Sequence, residues 1–101
     1  MGKNGYNQSI VQPISNYPRC FLCGKTAGKL DRHEIFGGAF RSKSKRYGLW
    51  IHLCHTPCHL QDAHGNRATA LLLKKAGQRA AMEKYGWSVE RFIREFGKNY
   101  L

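Results

Sequence analysis

Cys20-Phe21-Leu22-Cys23-Gly24 and Cys54-His55-Thr56-Pro57-Cys58-His59 bracket the stretch Asp31-Arg32-His33-Glu34-Ile35-Phe36-Gly37-Gly38, and the reading of these three segments decides the fold. The first has the C-x-x-C-G form of a zinc knuckle, in which the glycine permits the backbone turn that aims both sulfurs at one point. The second pair, Cys54 and Cys58, has one more intervening residue than the commoner C-x-x-C. Two close pairs separated by a hairpin can bring four thiolates around one tetrahedral Zn²⁺ at about 2.3 Å per bond. Such a site is closed to substrate and therefore structural, and it can contribute on the order of 10 kcal/mol to folding. Two alternatives stay open: His55 or His59 replaces one sulfur, or Cys54 and Cys58 are ordinary buried cysteines in a small helix.

Working outward, Lys29 to Phe36 reads as a strand that Gly37-Gly38 ends. Phe40 to Arg46 reads as a solvated basic loop. Gly48 to Leu53 is a second short strand, rich in residues that favour β structure. Pro57 suits the first turn of a helix running to about Ala63. Asn66 then caps a long helix to Tyr85 with Gly86 beyond it, and Leu72, Leu73, Ala76 and Ala80 form its expected apolar stripe. Ser88 caps a last helix, whose Val89, Phe92, Ile93 and Phe96 stand at the spacing of one buried face before Gly97. The fold class is thus α+β: a zinc-braced hairpin-helix followed by two C-terminal helices. Residues 1–19 are expected to be a mobile arm. Residues 20–101 form one domain, with a zinc-braced unit at 20–65 and a helical extension at 66–101.

The 101 residues carry 17 Lys and Arg against 6 Asp and Glu, a formal charge of +11, which points to a polyanionic partner. Four ionised thiols around one Zn²⁺ remove only two of those charges, so this inference survives metal binding. At 42% hydrophobic residues the chain is too apolar for a wholly disordered basic tail. The longest apolar run, Ala70 to Leu73, is stopped by Lys74 and Lys75 and is far too short to span a bilayer, so no membrane partner is expected. Without the apolar segment of a secretory signal near the N-terminus, the expected compartment is reducing and cytoplasmic, where cysteines serve better as metal ligands than as disulfides.

Five histidines, four of them between His52 and His64, ask for an explanation that core packing does not offer. At these residues the sequence resembles the HNH nucleases of the ββα-metal fold, and more narrowly small phage or prophage proteins in which a zinc ribbon braces the active hairpin. The resemblance covers roughly Cys20 to His64. It implies a one-metal phosphodiesterase acting on DNA in a bacterial host, with Mg²⁺, Mn²⁺ or Ni²⁺ as the catalytic ion. By position it makes His33-Glu34 the strand pair and His59 and His64 the helix ligands. A histidine takes a proton from water at neutral pH better than a carboxylate does, which favours His33 as general base and Glu34 as ligand or orienting group.

The chain departs from that family in two places. Its pair has Glu34 where histidine normally stands second, so position alone would make His33 the ligand. Asp31, on the same strand face as His33, competes with Glu34 as the partner carboxylate. The family's central asparagine is also absent near Tyr47-Gly48-Leu49, leaving His52 or loop backbone to substitute. His52 and His55 are otherwise read as an exposed strand residue and a helix-start residue.

Arg41, Lys43, Lys45 and Arg46 are the expected phosphate-binding residues, with Arg67, Lys74, Lys75 and Arg79 as a second basic patch and Trp50 and Tyr47 as stacking candidates. Two alternatives to a nuclease are a zinc-braced nucleic-acid-binding module without turnover and an adaptor docking to other phage or host proteins.

Overall fold

The computed structural model of the chain describes residues 5–13 and 18–101. It is a small α+β domain built on one two-stranded antiparallel sheet. Strand β1 (Leu30–Glu34) pairs with β2 (Trp50–Cys54) in a register that sets Asp31 opposite Leu53, His33 opposite Ile51 and Glu34 opposite Trp50. Side chains alternate along a strand, so Asp31, His33, Ile51 and Leu53 share one face and Arg32, Glu34, Trp50 and His52 the other. Ile51 and Leu53 are fully buried, which makes the first face the core face.

The segment between the strands is more ordered than expected. A 3₁₀ turn (Gly38–Phe40) leads into α1 (Arg41–Arg46), a short helix where the charge density predicts a solvated loop. The reason is Ser44, which is fully buried. Its hydroxyl donates to the Leu49 carbonyl and accepts from the Phe36 amide at 3.2 Å, tying α1 to the ends of both strands. A core position filled by serine carries no hydrophobic signature, so the basic residues around it hide the helix.

After β2, residues His55–Ala63 form a helical segment with widened, π-type turns. Thr56 interrupts it with extended angles (φ −135°, ψ 141°), as expected for a residue preceding proline. Helix α2 (Arg67–Tyr85) begins at Asn66, whose side chain accepts the Thr69 amide, and ends at left-handed Gly86. Helix α3 (Val89–Phe96) begins at Ser88, which accepts the Arg91 amide, and ends at Gly97. The apolar stripe of α2 is shifted from the expected one: Leu73, Gly77, Gln78 and Ala81 are buried, while Leu72 is 60% exposed. Three consecutive leucines leave the phase of the stripe undetermined. Contact with Phe36 sets it, because a Cβ on Gly77 would lie about 3.0 Å from that ring. Phe36 in turn packs against Phe92, Phe96 and Tyr100.

Residues 5–13 of the expected mobile arm lie along the free edge of β2; residues 1–4 and 14–17 fall outside the described residues. The Ile10 amide donates to the Gly48 carbonyl at 2.9 Å and the Ser9 hydroxyl to the Trp50 carbonyl at 2.6 Å. The His52 amide donates to Gln12 Oε1 at 2.8 Å, and the Phe21 amide to the His52 carbonyl at 2.8 Å. Every second residue of the edge thus finds a partner, as unpaired strand groups require.

The closeness of arm and strand demands a glycine at position 48. Gly48 has φ 73°, and an added Cβ would run into the Gln8 carbonyl oxygen. Gly86 has φ 66° but open space around it. Gly48→Ala is therefore expected to cost about 2–4 kcal/mol, against about 1 kcal/mol for Gly86→Ala, whose only penalty is the left-handed backbone. Thermal unfolding checks this: the first variant should lose at least about 10 °C and the second about half that or less.

Candidate metal centre

Two groups of side chains flank the β2–helix junction. In the first, Cys20, Cys23, Cys54 and Cys58 bring one sulfur each to within 4.8 Å of one another. The knuckle turn is closed by the Gly24 amide donating to the Cys20 carbonyl at 2.9 Å, and the Cys23 amide donates to Cys20 Sγ at 3.4 Å. Cys54 is delivered by the last residue of β2 and Cys58 by the following helical segment. The Cys23 and Cys54 sulfurs are 3.9 Å apart, and all four cysteines are free thiols. Burial raises the Cys20 pKa, but hydrogen bonds from the amides of Cys23, Cys54 and Leu22 outweigh it and bring the value down to about 6. Burial, reinforced by its hydrogen bonds to the other three sulfurs and by the charge on Cys20, pushes the Cys58 thiol upward. Four sulfurs this close can hold one metal ion. Neither His55 nor His59 replaces a sulfur, because both rings turn to Asp31.

In the second group, His33, His59 and His64 each bring a ring nitrogen to within 4.8 Å of the others. His33 comes from the core face of β1 and is 8% exposed. Its ring centre lies 5.3 Å from that of His59 and 5.2 Å from that of His64. His59 Nε2 and His64 Nε2 are 3.1 Å apart. Two imidazole nitrogens at this separation either share a proton or share a cation.

Asp31 fixes which. Its Oδ2 lies 2.7 Å from Nδ1 of His59 and 2.7 Å from Nδ1 of His55. A carboxylate only accepts, so both Nδ1 atoms donate to it, and in the neutral form each ring has its lone pair on Nε2. In that form His59 turns a lone pair toward His64, able to accept its proton or to bind an ion. A carboxylate behind a ligating imidazole is the usual device for fixing its tautomer and raising its basicity. The two hydrogen bonds, with the adjacent imidazole charge, outweigh burial and hold the Asp31 carboxyl below the ordinary aspartate range. Burial lowers the His33 pKa to about 4, helped by the charges of His59, His64 and Lys74, so this ring is neutral near pH 7 with a lone pair available.

The pair expected from the sequence divides here. His33 joins His59 and His64, but Glu34 does not: it occupies the opposite face of β1, 3.4 Å from Arg41 Nε. Adjacent strand residues cannot both reach one site, and the residue two positions away, Asp31, takes the carboxylate role. His55 as an Asp31 partner was not legible, since nothing local marks a histidine before an X-Pro kink as facing a strand. His52 sits on the outer face, with Nδ1 buried and without a partner among the described residues.

The expected phosphate-binding cations are partly engaged: Arg41 with Glu34, Lys43 with Glu95 at 3.3 Å, Lys45 over the Tyr6 ring and Arg46 over the Tyr47 ring. Tyr47 packs with Tyr85, Trp87 and Phe96 and is not available for stacking. Compared with known proteins, the chain matches no family model, and neither a curated protein nor a solved structure matches it.

Two outcomes are expected. Cys54→Ser should lose about one equivalent of tightly bound metal per chain, read by elemental analysis, and should unfold; a folded variant with unchanged metal content would remove the sulfurs from consideration. Asp31→Asn should weaken divalent-ion binding at the imidazole group by about 10–100-fold in competition with a chromophoric chelator, with the cysteine-bound metal retained.

Proposed function

We propose that this chain is a metal-dependent nuclease that hydrolyses phosphodiester bonds of DNA, braced by a structural Zn²⁺ on its four cysteines. The observation that carries the reading is the convergence of His33, His59 and His64, one of them backed by Asp31, on a hairpin-helix unit of a strongly basic chain. The cysteine separation supports zinc, since bonds of about 2.3 Å give a tetrahedral edge of about 3.8 Å. Nitrogen donors of this kind suit Ni²⁺ more readily than Mn²⁺ or Mg²⁺.

His33, His59 and His64 would hold the catalytic ion through neutral nitrogens. When bound, that ion supplies shielding of the phosphate charge and stabilisation of the leaving oxygen. His33 acts here as a ligand, because its depressed pKa makes it a poor proton acceptor. The base is His55: Asp31 holds its Nδ1 proton, which leaves the lone pair on Nε2 of a half-exposed ring. Nε2 takes a proton from water, the water oxygen bonds to phosphorus, the bond from phosphorus to the leaving sugar oxygen breaks, and that oxygen is protonated by solvent. The proton on His55 then returns to solvent.

The free thiols favour a reducing bacterial cytoplasm, and the family resemblance favours a phage or prophage setting. No helix among the described residues is long and apolar enough to cross a membrane. A second reading, a nucleic-acid-binding module without turnover, draws on one observation: Glu34 stands where the family places its second histidine and is spent on Arg41.

Supercoiled plasmid with Mg²⁺, Mn²⁺ or Ni²⁺ tests the choice. The wild-type chain should nick it in a metal-dependent manner. His59→Ala should lose at least about 100-fold in rate, and His55→Ala about 100-fold with ion binding kept. DNA binding without nicking under any ion would leave the binding module.

A further inference from the structure

The outer face of the hairpin carries a row of rings and cations that the metal groups do not use. The Arg32 guanidinium stands 4.8 Å from the Tyr6 ring centre and 5.4 Å from that of Trp50, and the Lys45 ammonium lies 4.9 Å from Tyr6. Tyr6 and Trp50 meet edge to face at 5.3 Å, and Trp50 and His52 at 5.2 Å. Where this row ends, a cavity of about 740 Å³ opens between the arm and the cysteine knuckle, lined in part by Gln12, Arg19, Phe21, Leu22, Trp50 and His52.

We propose that this cavity receives an unpaired nucleobase of a single-stranded polynucleotide, with Arg19, Arg32 and Lys45 meeting the flanking phosphates. The inference rests on the nucleic-acid reading above and names which form of nucleic acid the chain prefers. The cavity falls in the ordinary range of ligand pockets, about 300–1,000 Å³, and has their character of apolar and aromatic walls with few polar groups. Phe21, Trp50 and His52 offer π surface, and Phe21 is 36% exposed although it is a large aromatic. Gln12 is already committed at both ends of its amide, to the His52 amide and to the Arg19 carbonyl. His52 Nδ1 is buried and without a partner among the described residues. Aromatic surface beside several cations is the combination that holds single strands, stacking the base and neutralising the backbone together. Glu34 shares this face of the hairpin and is paired with Arg41, so it offers the backbone little repulsion. Because the cavity and the imidazole group occupy opposite faces of the hairpin, filling one leaves the other open.

Fluorescence anisotropy with the wild-type chain and no added divalent ion tests this directly. The probes are a dye-labelled twelve-nucleotide oligothymidylate and an abasic deoxyribose-phosphate oligomer of equal length. The oligothymidylate should bind about tenfold more tightly, since only it has a base to stack. Phe21→Ala, a surface change, should bring the two affinities to within about twofold. Equal affinities for wild type, or a base preference that persists in Phe21→Ala, would overturn the proposal. Plasmid nicking reads the catalytic reading separately: lost nicking leaves the base preference measurable, and equal oligomer affinities leave nicking untouched.

Discussion

A two-stranded antiparallel ribbon with five residues in each strand does not hold together in water by itself, because it has two faces to cover, two free edges and too little side chain to bury. The rest of the chain answers that constraint. The core face is covered by the π-helical segment and α2, the free edge of β2 by residues of the N-terminal arm, and the far end of the ribbon is gathered by the cysteines. Metal on those sulfurs would link residue 20 to residue 58 across the hairpin, at a site where a metal contributes on the order of 10 kcal/mol, comparable with the whole net stability of a domain this size. The imidazole group depends on the same frame: His33 is placed by the register of β1 against β2, and His59 follows Cys58 directly in the segment that Cys54 and Cys58 anchor.

Much of this was legible from spacing. The caps at Asn66 and Ser88, the stops at Gly86 and Gly97, and the convergence of the two cysteine pairs follow from residue types whose conformational preferences are local and strong. What was not legible depended on contacts between segments. Ser44 looks polar and solvent-seeking until the Leu49 carbonyl and Phe36 amide that it joins are known. The phase of α2 is set by the fit of Gly77 against Phe36, which no periodicity in Leu71-Leu72-Leu73 reveals. The arm lacks any periodic pattern because it is held by backbone and amide hydrogen bonds to an edge, an arrangement that leaves no mark on hydropathy.

The candidate site was legible in composition and misread in phase. Period-two alternation places Asp31 with His33 and sends Glu34 away, and this rule was available from the sequence. The family resemblance pulled the other way, toward the adjacent pair. Alternation wins because the register of β1 against β2 is fixed by burial of Ile51 and Leu53; bringing Glu34 to the site would rotate His33 out and expose that core.

Scarcity of acid gives the same picture from the side of charge. Of the six carboxylates in the chain, three each tie separate elements together: Asp31 joins β1 to the π-helical segment, Glu34 joins β1 to α1, and Glu95 joins α3 to α1 through Lys43. All three are largely shielded from solvent, where such contacts are worth more than at an open surface. Spending acids internally has a consequence outside. The cations they hold keep their place on the framework, and the chain as a whole keeps its formal charge of +11. The two faces of the hairpin differ in what they present: ring nitrogens that could hold an ion on one, and π surface from Tyr6, Trp50 and His52 on the other.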